Sequence, residues 1–313
     1  MPLIRTHVLT FFLLSALIAP PVAARDLKVA VTIKPIHALT AAIMEGAGSP
    51  ALIVEGQASP HTFALKPSAA REIFASDVMI RVGPGIEPWA NRLIETIRVP
   101  VVTLMDTPGL TLLDRRSGST FEPHDHGARD AHHDDHDGDD HDGKDGHIWL
   151  DPHNAMVIAD RIASFLAGKD PERAPLYTAN AARLKSRLET LDAEIVAEMA
   201  PLKGRPFILF HDATQYFEAR YGLQALGSIT VSPDVQPSAK RLSELRAKIA
   251  NSGASCVFFE PFFNEALLHA VTEGSKAITV GLDPEGLMID PGPAAYFELM
   301  HKLAQSLTKC LRS

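Results

Sequence analysis

Apolar positions recur along this chain with two periods, one suited to strands and one to helices. Residues 27–33 (LKVAVTI) alternate apolar with polar or small positions and run into Pro35, which predicts a strand followed by a helix over 35–45. ALIV at 51–54 predicts a second strand, followed by a loop with Gly56 and Pro60; Pro67 and Ser68 then open a helix to 75. DVMIRVG at 77–83 and VPVVTLM at 99–105 predict two further strands, with a helix over 88–97 between them. A helix is expected from Pro152 to 167, punctuated by Asp170 and Pro171. The segment 172–200 has no Gly and only Pro175 near its start, and it sets Leu176, Leu184, Leu188, Leu191 and Ile195 on one face. A helix of that length extends ~40 Å at 1.5 Å per residue, enough to cross a small domain, so it is expected to join two lobes. The second half repeats the rhythm with other residues: strands at 206–210, 223–229, 254–260 and 276–281, helices at 213–220, 237–250 and 264–273 and from 293 onward. The pattern predicts an α/β fold, two parallel-sheet lobes (25–170 and 204–313) joined by one long rigid helix (171–203).

The first 24 residues break this pattern. Arg5 precedes an apolar run over 8–19 and then PPVAA, whose Val22 and Ala24 fit the small-residue rule for a signal peptide cut after Ala24. The run is too short for a stop-transfer helix, and no Cys near the cut offers a lipid attachment point. The mature chain is therefore expected in the periplasm, exported and without a membrane anchor. Cys256 and Cys310 are the only cysteines, and an even count in an exported chain favours one disulfide, which would pin the C-terminal helix. The formal charge of −8 carries no basic patch of the kind that binds nucleic acid.

Much of that charge lies in one stretch. Between 122 and 154 the chain reads EPHDHGARDAHHDDHDGDDHDGKDGHIWLDPHN, which changes at His147 from His, Asp and Gly to an apolar segment. The upstream part has almost nothing to bury against the entropy of ordering it, so 114–146 is expected to be a mobile loop. Six His within it, at 124, 126, 132, 133, 136 and 141, offer nitrogen ligands among carboxylates, which suits loose, exchangeable binding of a divalent transition metal: His124, His126, His132, His133, His136 and His141.

Three His outside the loop are placed by the predicted strands. His61 follows the second strand, His211 stands directly after PFILF, and Asp283 lies in the GLDPEG turn after KAITVG. All would emerge at carboxyl ends of parallel strands, where open α/β sheets bind ligands. With His147 added, a site between the lobes is expected. Three imidazoles with a carboxylate or water make a tetrahedral zinc site, and an imidazole-rich shell disfavours calcium and magnesium. Ordinary imidazoles would lose the metal as pH falls through ~6.5. Asp212 and Asp151 offer themselves either as orienting groups for the rings or as helix N-caps. His153, in the first turn of a helix, and His37 are read as bystanders.

SPHTFALKPS around His61, HIWLDPHNA around His147, FILFHDATQYF around His211 and GLDPEG around Asp283 resemble, in order and context, the metal-specific substrate-binding proteins of bacterial ABC importers (the cluster A-I family), and among them the periplasmic zinc-uptake members. The resemblance covers essentially the whole mature chain, including the acidic His-rich loop, the long middle helix and the paired Cys. It implies zinc held between two similar lobes and delivered to a membrane permease. Carried over residue by residue, it implies His61, His147 and His211 as ligands, with Asp283 or water fourth. A His at 211, where manganese-selective relatives tend to carry Glu, favours zinc. Some zinc members have Glu beside the first His; here that residue is Pro60.

The expected function is thus a monomeric, non-enzymatic zinc receptor that docks on a permease, with the loop collecting metal. Two others stand beside it: a zinc storage or buffering protein built around the loop, and a zinc hydrolase, which would need a general base that no HExxH motif supplies here.

Overall fold

The computed structural model describes residues 26–116, 121, 143–230, 237–261 and 265–312. The leader with its expected cut and the six loop His lie outside the described residues.

The described residues form two four-stranded parallel sheets. The first holds β1 (Val29–Val31), β2 (Ala51–Leu52), β3 (Val78–Arg81) and β4 (Val101–Thr103) in the order β2-β1-β3-β4. The second holds β5 (Phe207–His211), β6 (Ala225–Thr230), β7 (Cys256–Phe259) and β8 (Ile278–Gly281) in the order β6-β5-β7-β8. Every pairing is parallel, and the two orders are the same. Each lobe therefore reverses its winding beside its first strand, between β1 and β3 and between β5 and β7, and a reversal of that kind opens a crevice at the carboxyl ends of the strands. Val29, Ala30 and Val31, like Phe207, Ile208 and Leu209, are buried on both faces, as strands covered by helices on either side must be.

The helices are α1 (Lys34–Ile43), α2 (Pro67–Phe74), α3 (Asn91–Ile94), α4 (Pro152–Lys169), α5 (Ala174–Met199), α6 (Gln215–Tyr221), α7 (Ala239–Ser252), α8 (Glu265–Thr272) and α9 (Ala295–Leu311). The helix expected over 88–97 is shorter, a 3-10 turn at Pro88–Ala90 leading into α3. The chain then tightens, with the amides of both Thr96 and Ile97 donating to Leu93 O before Pro100.

The long α5 links the lobes, packing against α1 and α4 of the first and α6 and α9 of the second. Leu184, Leu188, Leu191 and Ile195 are buried along it as the spacing requires. They belong to one apolar core running from Val31 and Ile36 through α5 to Leu303 and Leu307. The lobes thus share a core. Polar contacts reinforce the junction: Lys34 Nζ donates to Leu287 O (2.7 Å) and Ile289 O (3.0 Å), Trp149 Nε1 to Pro284 O (2.9 Å), and Tyr296 Oη to Trp149 O (2.7 Å). Cys256, opening β7, is disulfide-bonded to Cys310 near the end of α9.

The segment expected to be mobile over 114–146 is structured at both ends. Asp114 and Lys144 form an antiparallel bridge, Arg115 N donates to Gly143 O (2.7 Å) and Asp145 N to Leu113 O (2.9 Å). Residues 113–116 and 143–145 are a paired stem, and Asp145 is buried.

Candidate metal centre

His61 lies in the turn after β2, His147 precedes the 3-10 turn Ile148–Leu150, and His211 ends β5. The folding of two lobes against one another brings them together: Nε2 of His147 is 3.3 Å from Nε2 of His61 and 3.3 Å from Nε2 of His211. Among the described residues these three are the one group of potential ligands whose donor atoms all fall within 4.8 Å of one another. Two ~2.05 Å bonds to one tetrahedral centre set their nitrogens ~3.3 Å apart, so the observed spacing suits a shared metal. His147 and His211 are buried and His61 is partly so.

Each ring has a further partner. His147 Nδ1 is 2.6 Å from Asp145 Oδ1, an oxygen that also accepts from the His147 amide (3.0 Å). His211 Nδ1 pairs with Glu260 Oε1, just past β7. His61 has the Gly85 backbone as its partner, in the loop after β3. A donor bond from Nδ1 to an oxygen fixes the tautomer that leaves the Nε2 lone pair free for a metal. Gly85's loop is itself braced by the fully buried Glu87, whose carboxylate accepts from the amides of Val82 and Gly83 (3.0 Å each) and from Thr32 Oγ1 (2.5 Å).

The electrostatics differ from ring to ring. Burial, with His147 and His211 alongside, holds the His61 imidazole well below its ordinary range, hence neutral. Burial also opposes a charge on His211, but the Glu260 carboxylate more than offsets it and raises the imidazole to about 9.

Glu285 completes the ring of groups. Its Oε1 is 3.6 Å from His61 Nε2 and accepts from Ser59 Oγ (3.2 Å), while its Oε2 is buried without a hydrogen-bond partner. Burial foremost, with Glu260 adding repulsion, pushes its carboxyl up to about 8. Asp283, expected as a possible fourth ligand, stands outside the cluster. Its oxygens accept from the amides of Leu287 (3.0 Å) and Met288 (2.9 Å), so it shapes the turn that presents Glu285. Asp151 caps α4 through the His153 amide (2.8 Å), and Asp212 pairs with Arg116. His153 is largely exposed, 3.7 Å from Asp192, and His37 Nε2 is 3.1 Å from Pro50 O.

Sequence reasoning missed Glu285, Asp145 and Glu260. Glu260 is the last residue of a predicted strand, 254–260, and so lies at a carboxyl end as His211 does, while Glu285 is two residues past Asp283 in the same turn. Asp145 was hidden among the acidic residues of the loop.

The chain matches the family model described as "ZnuA: Zinc-uptake complex component A periplasmic" over residues 29–310. It is 42% identical to the high-affinity zinc uptake system protein ZnuA of Brucella abortus, covering 90% of this chain and 91% of the relative. It is 33% identical to the protein of that name from Paracoccus denitrificans, covering 94% of each. The fold is shared with a crystal structure of ZnuA (TM-score 0.74, 24% identity, 92% of this chain and all of that one). It is shared as well with the Mn2+ complex of FpvC from Pseudomonas aeruginosa (TM-score 0.75, 19% identity, 92% of this chain and 99% of that one). Its lobes, its linking helix and its sequence agree: the chain belongs to the ZnuA family, the periplasmic component A of zinc-uptake complexes.

Proposed function

We propose that the chain is a zinc receptor that binds Zn2+ between its lobes and passes it to the membrane permease of an ABC importer. The observation that carries this reading is the convergence of three Nε2 atoms, from His61, His147 and His211, at a spacing that suits tetrahedral coordination. Zinc is the cargo. Two carboxylate-backed imidazoles and a third bonded to the Gly85 backbone favour a borderline metal over calcium or magnesium, and Glu285 is the group proposed for the fourth bond. Relatives named for zinc uptake support the choice of metal.

The receptor works in the periplasm as a monomer, after loss of its leader, and catalyses no reaction. No helix among the described residues is long and apolar enough to cross a membrane. The His/Asp-rich segment serves as an auxiliary collector of metal.

Zinc titration by calorimetry of the full mature chain, beside the same chain carrying His61→Ala, tests the reading. One tight site, lost in the variant, is the expected result. Equal tight binding by both proteins would remove the inter-lobe site from the function.

A further inference from the structure

The chain carrying His147 reaches the centre along the stem, and the stem is held by the other lobe. Tyr216, fully buried on α6, places its hydroxyl between the two stem strands, accepting from Leu113 N (3.1 Å) and donating to Asp145 O (2.7 Å). Gln215 Nε2 donates to Asp114 O (3.1 Å). Arg116, at the end of the first stem strand, donates from Nε to both oxygens of Asp212 (3.0 Å each) and from its two terminal nitrogens to Glu218 (2.8 and 2.9 Å). Glu218 is fixed in turn by Thr214 Oγ1 and the Ala225 amide (2.8 Å each). At the first lobe the stem is tied to α4 by a reciprocal pair, Thr111 N to Asn154 Oδ1 (2.9 Å) and Asn154 Nδ2 to Thr111 O (3.0 Å).

These contacts end at the two buried imidazoles. Asp145, whose carbonyl Tyr216 holds, grips His147 by its amide and by Nδ1. Asp212, which Arg116 holds, adjoins His211 in the chain. A buried hydroxyl that satisfies one donor and one acceptor positions both backbones to within hydrogen-bond tolerance, and a two-sided guanidinium does the same for two carboxylates.

We propose that Tyr216 and Arg116 are positioning residues for zinc capture, a clamp that registers the stem bearing Asp145 and His147 against the lobe bearing His211. The proposal rests on the zinc-receptor reading. Neither side chain touches the metal; both act through the residues that orient its ligands.

The test compares zinc dissociation constants, zinc release rates to a chelator, and cobalt(II) absorption spectra for the full mature chain and three variants. Tyr216→Phe keeps the ring and removes the hydroxyl. Arg116→Lys keeps the charge but loses the planar, five-donor fork that bonds Asp212 and Glu218 from several nitrogens. Tyr221→Phe, which removes a buried hydroxyl from the same helix away from the stem, is the control. Tyr216→Phe and Arg116→Lys are expected to weaken zinc binding about tenfold, the lower end of the effect of groups that orient metal ligands, chiefly through faster release. They should also alter the cobalt spectrum, which reports ligand geometry, while Tyr221→Phe leaves both unchanged. Wild-type affinity and spectrum in Tyr216→Phe would overturn the clamp, and so would equal losses in Tyr216→Phe and Tyr221→Phe, which would trace the effect to α6 itself. Absence of a tight site in the unsubstituted protein would overturn the receptor reading first, and the clamp with it.

Discussion

Glu285 Oε1 and His61 Nε2 stand 3.6 Å apart across the cleft, and the other oxygen of that buried carboxylate has no hydrogen-bond partner. Glu285 is therefore the carboxylate proposed for the fourth bond to a metal held by the three imidazoles. Glu285→Gln, which keeps the shape and removes the charge, is expected to weaken zinc binding at least about tenfold in chelator competition. Asp283→Asn should change it by less than about threefold, because Asp283 is engaged by the amides of Leu287 and Met288. The reverse ranking would return the fourth position to Asp283.

Zinc binding should release protons at neutral pH. His211, raised to about 9, and Glu285, raised to about 8, are both protonated at pH 7 in the metal-free protein. Both must lose that proton to ligate, so roughly two protons should leave per zinc. The apparent binding enthalpy measured in buffers of different ionisation enthalpy gives the number, and a value near zero would contradict ligation by this pair. Competition from protons thus begins well above the ~6.5 of an ordinary imidazole.

The same two groups set a stability slope in the metal-free protein. Their folded values exceed the unfolded ones, 6.5 for His and 4.5 for Glu. Their contribution is therefore complete below those unfolded values and is lost as pH rises through about 8 and about 9. The melting temperature of the metal-free protein should fall between about pH 5 and pH 9, and zinc-saturated protein should fall less, because zinc binding strengthens over the same window. A flat profile for the metal-free protein would count against these shifts.

Two deletions should behave differently. Removing 117–142 and joining 116 to 143 spares the stem, whose strands are already in contact through Arg115 N and Gly143 O. One tight zinc site should remain, with any weaker sites lost. Removing 114–146 also takes Arg116 and Asp145 and should weaken the tight site by on the order of 10–100-fold. Calorimetric stoichiometry decides, and equal behaviour would deny the stem a role.

Reduction of the Cys256–Cys310 bond, which closes a separation of 54 residues, should destabilise the protein by about 4 kcal/mol. Cys256 opens β7, whereas Glu260 lies past its other end, so zinc affinity should change little. Urea unfolding and zinc titration of the Cys256→Ser, Cys310→Ser protein, each against the oxidised chain, separate the two effects.

Much of the site was legible because strand order carries geometry. His61 and His211 each end or follow a predicted strand, and a parallel sheet delivers such residues to one edge. His147 was marked by the abrupt turn from a polar run to an apolar one. Asp283 illustrates the limit: its position at a strand end was read correctly, but the direction of its carboxylate depends on local amides that no spacing reveals.

The alternation of apolar strands and helices, and the long Gly-free amphipathic segment, determined the two lobes and α5 from sequence alone, because periodicity and propensity are local properties. Only the tertiary structure decided that the lobes share one core, that the outer parts of the acidic segment pair into a stem held by Tyr216 and Arg116, and that Glu285 rather than Asp283 faces the imidazoles. These depend on contacts between residues far apart in the chain, where burial, hydrogen-bond satisfaction and charge are settled only once the lobes have packed.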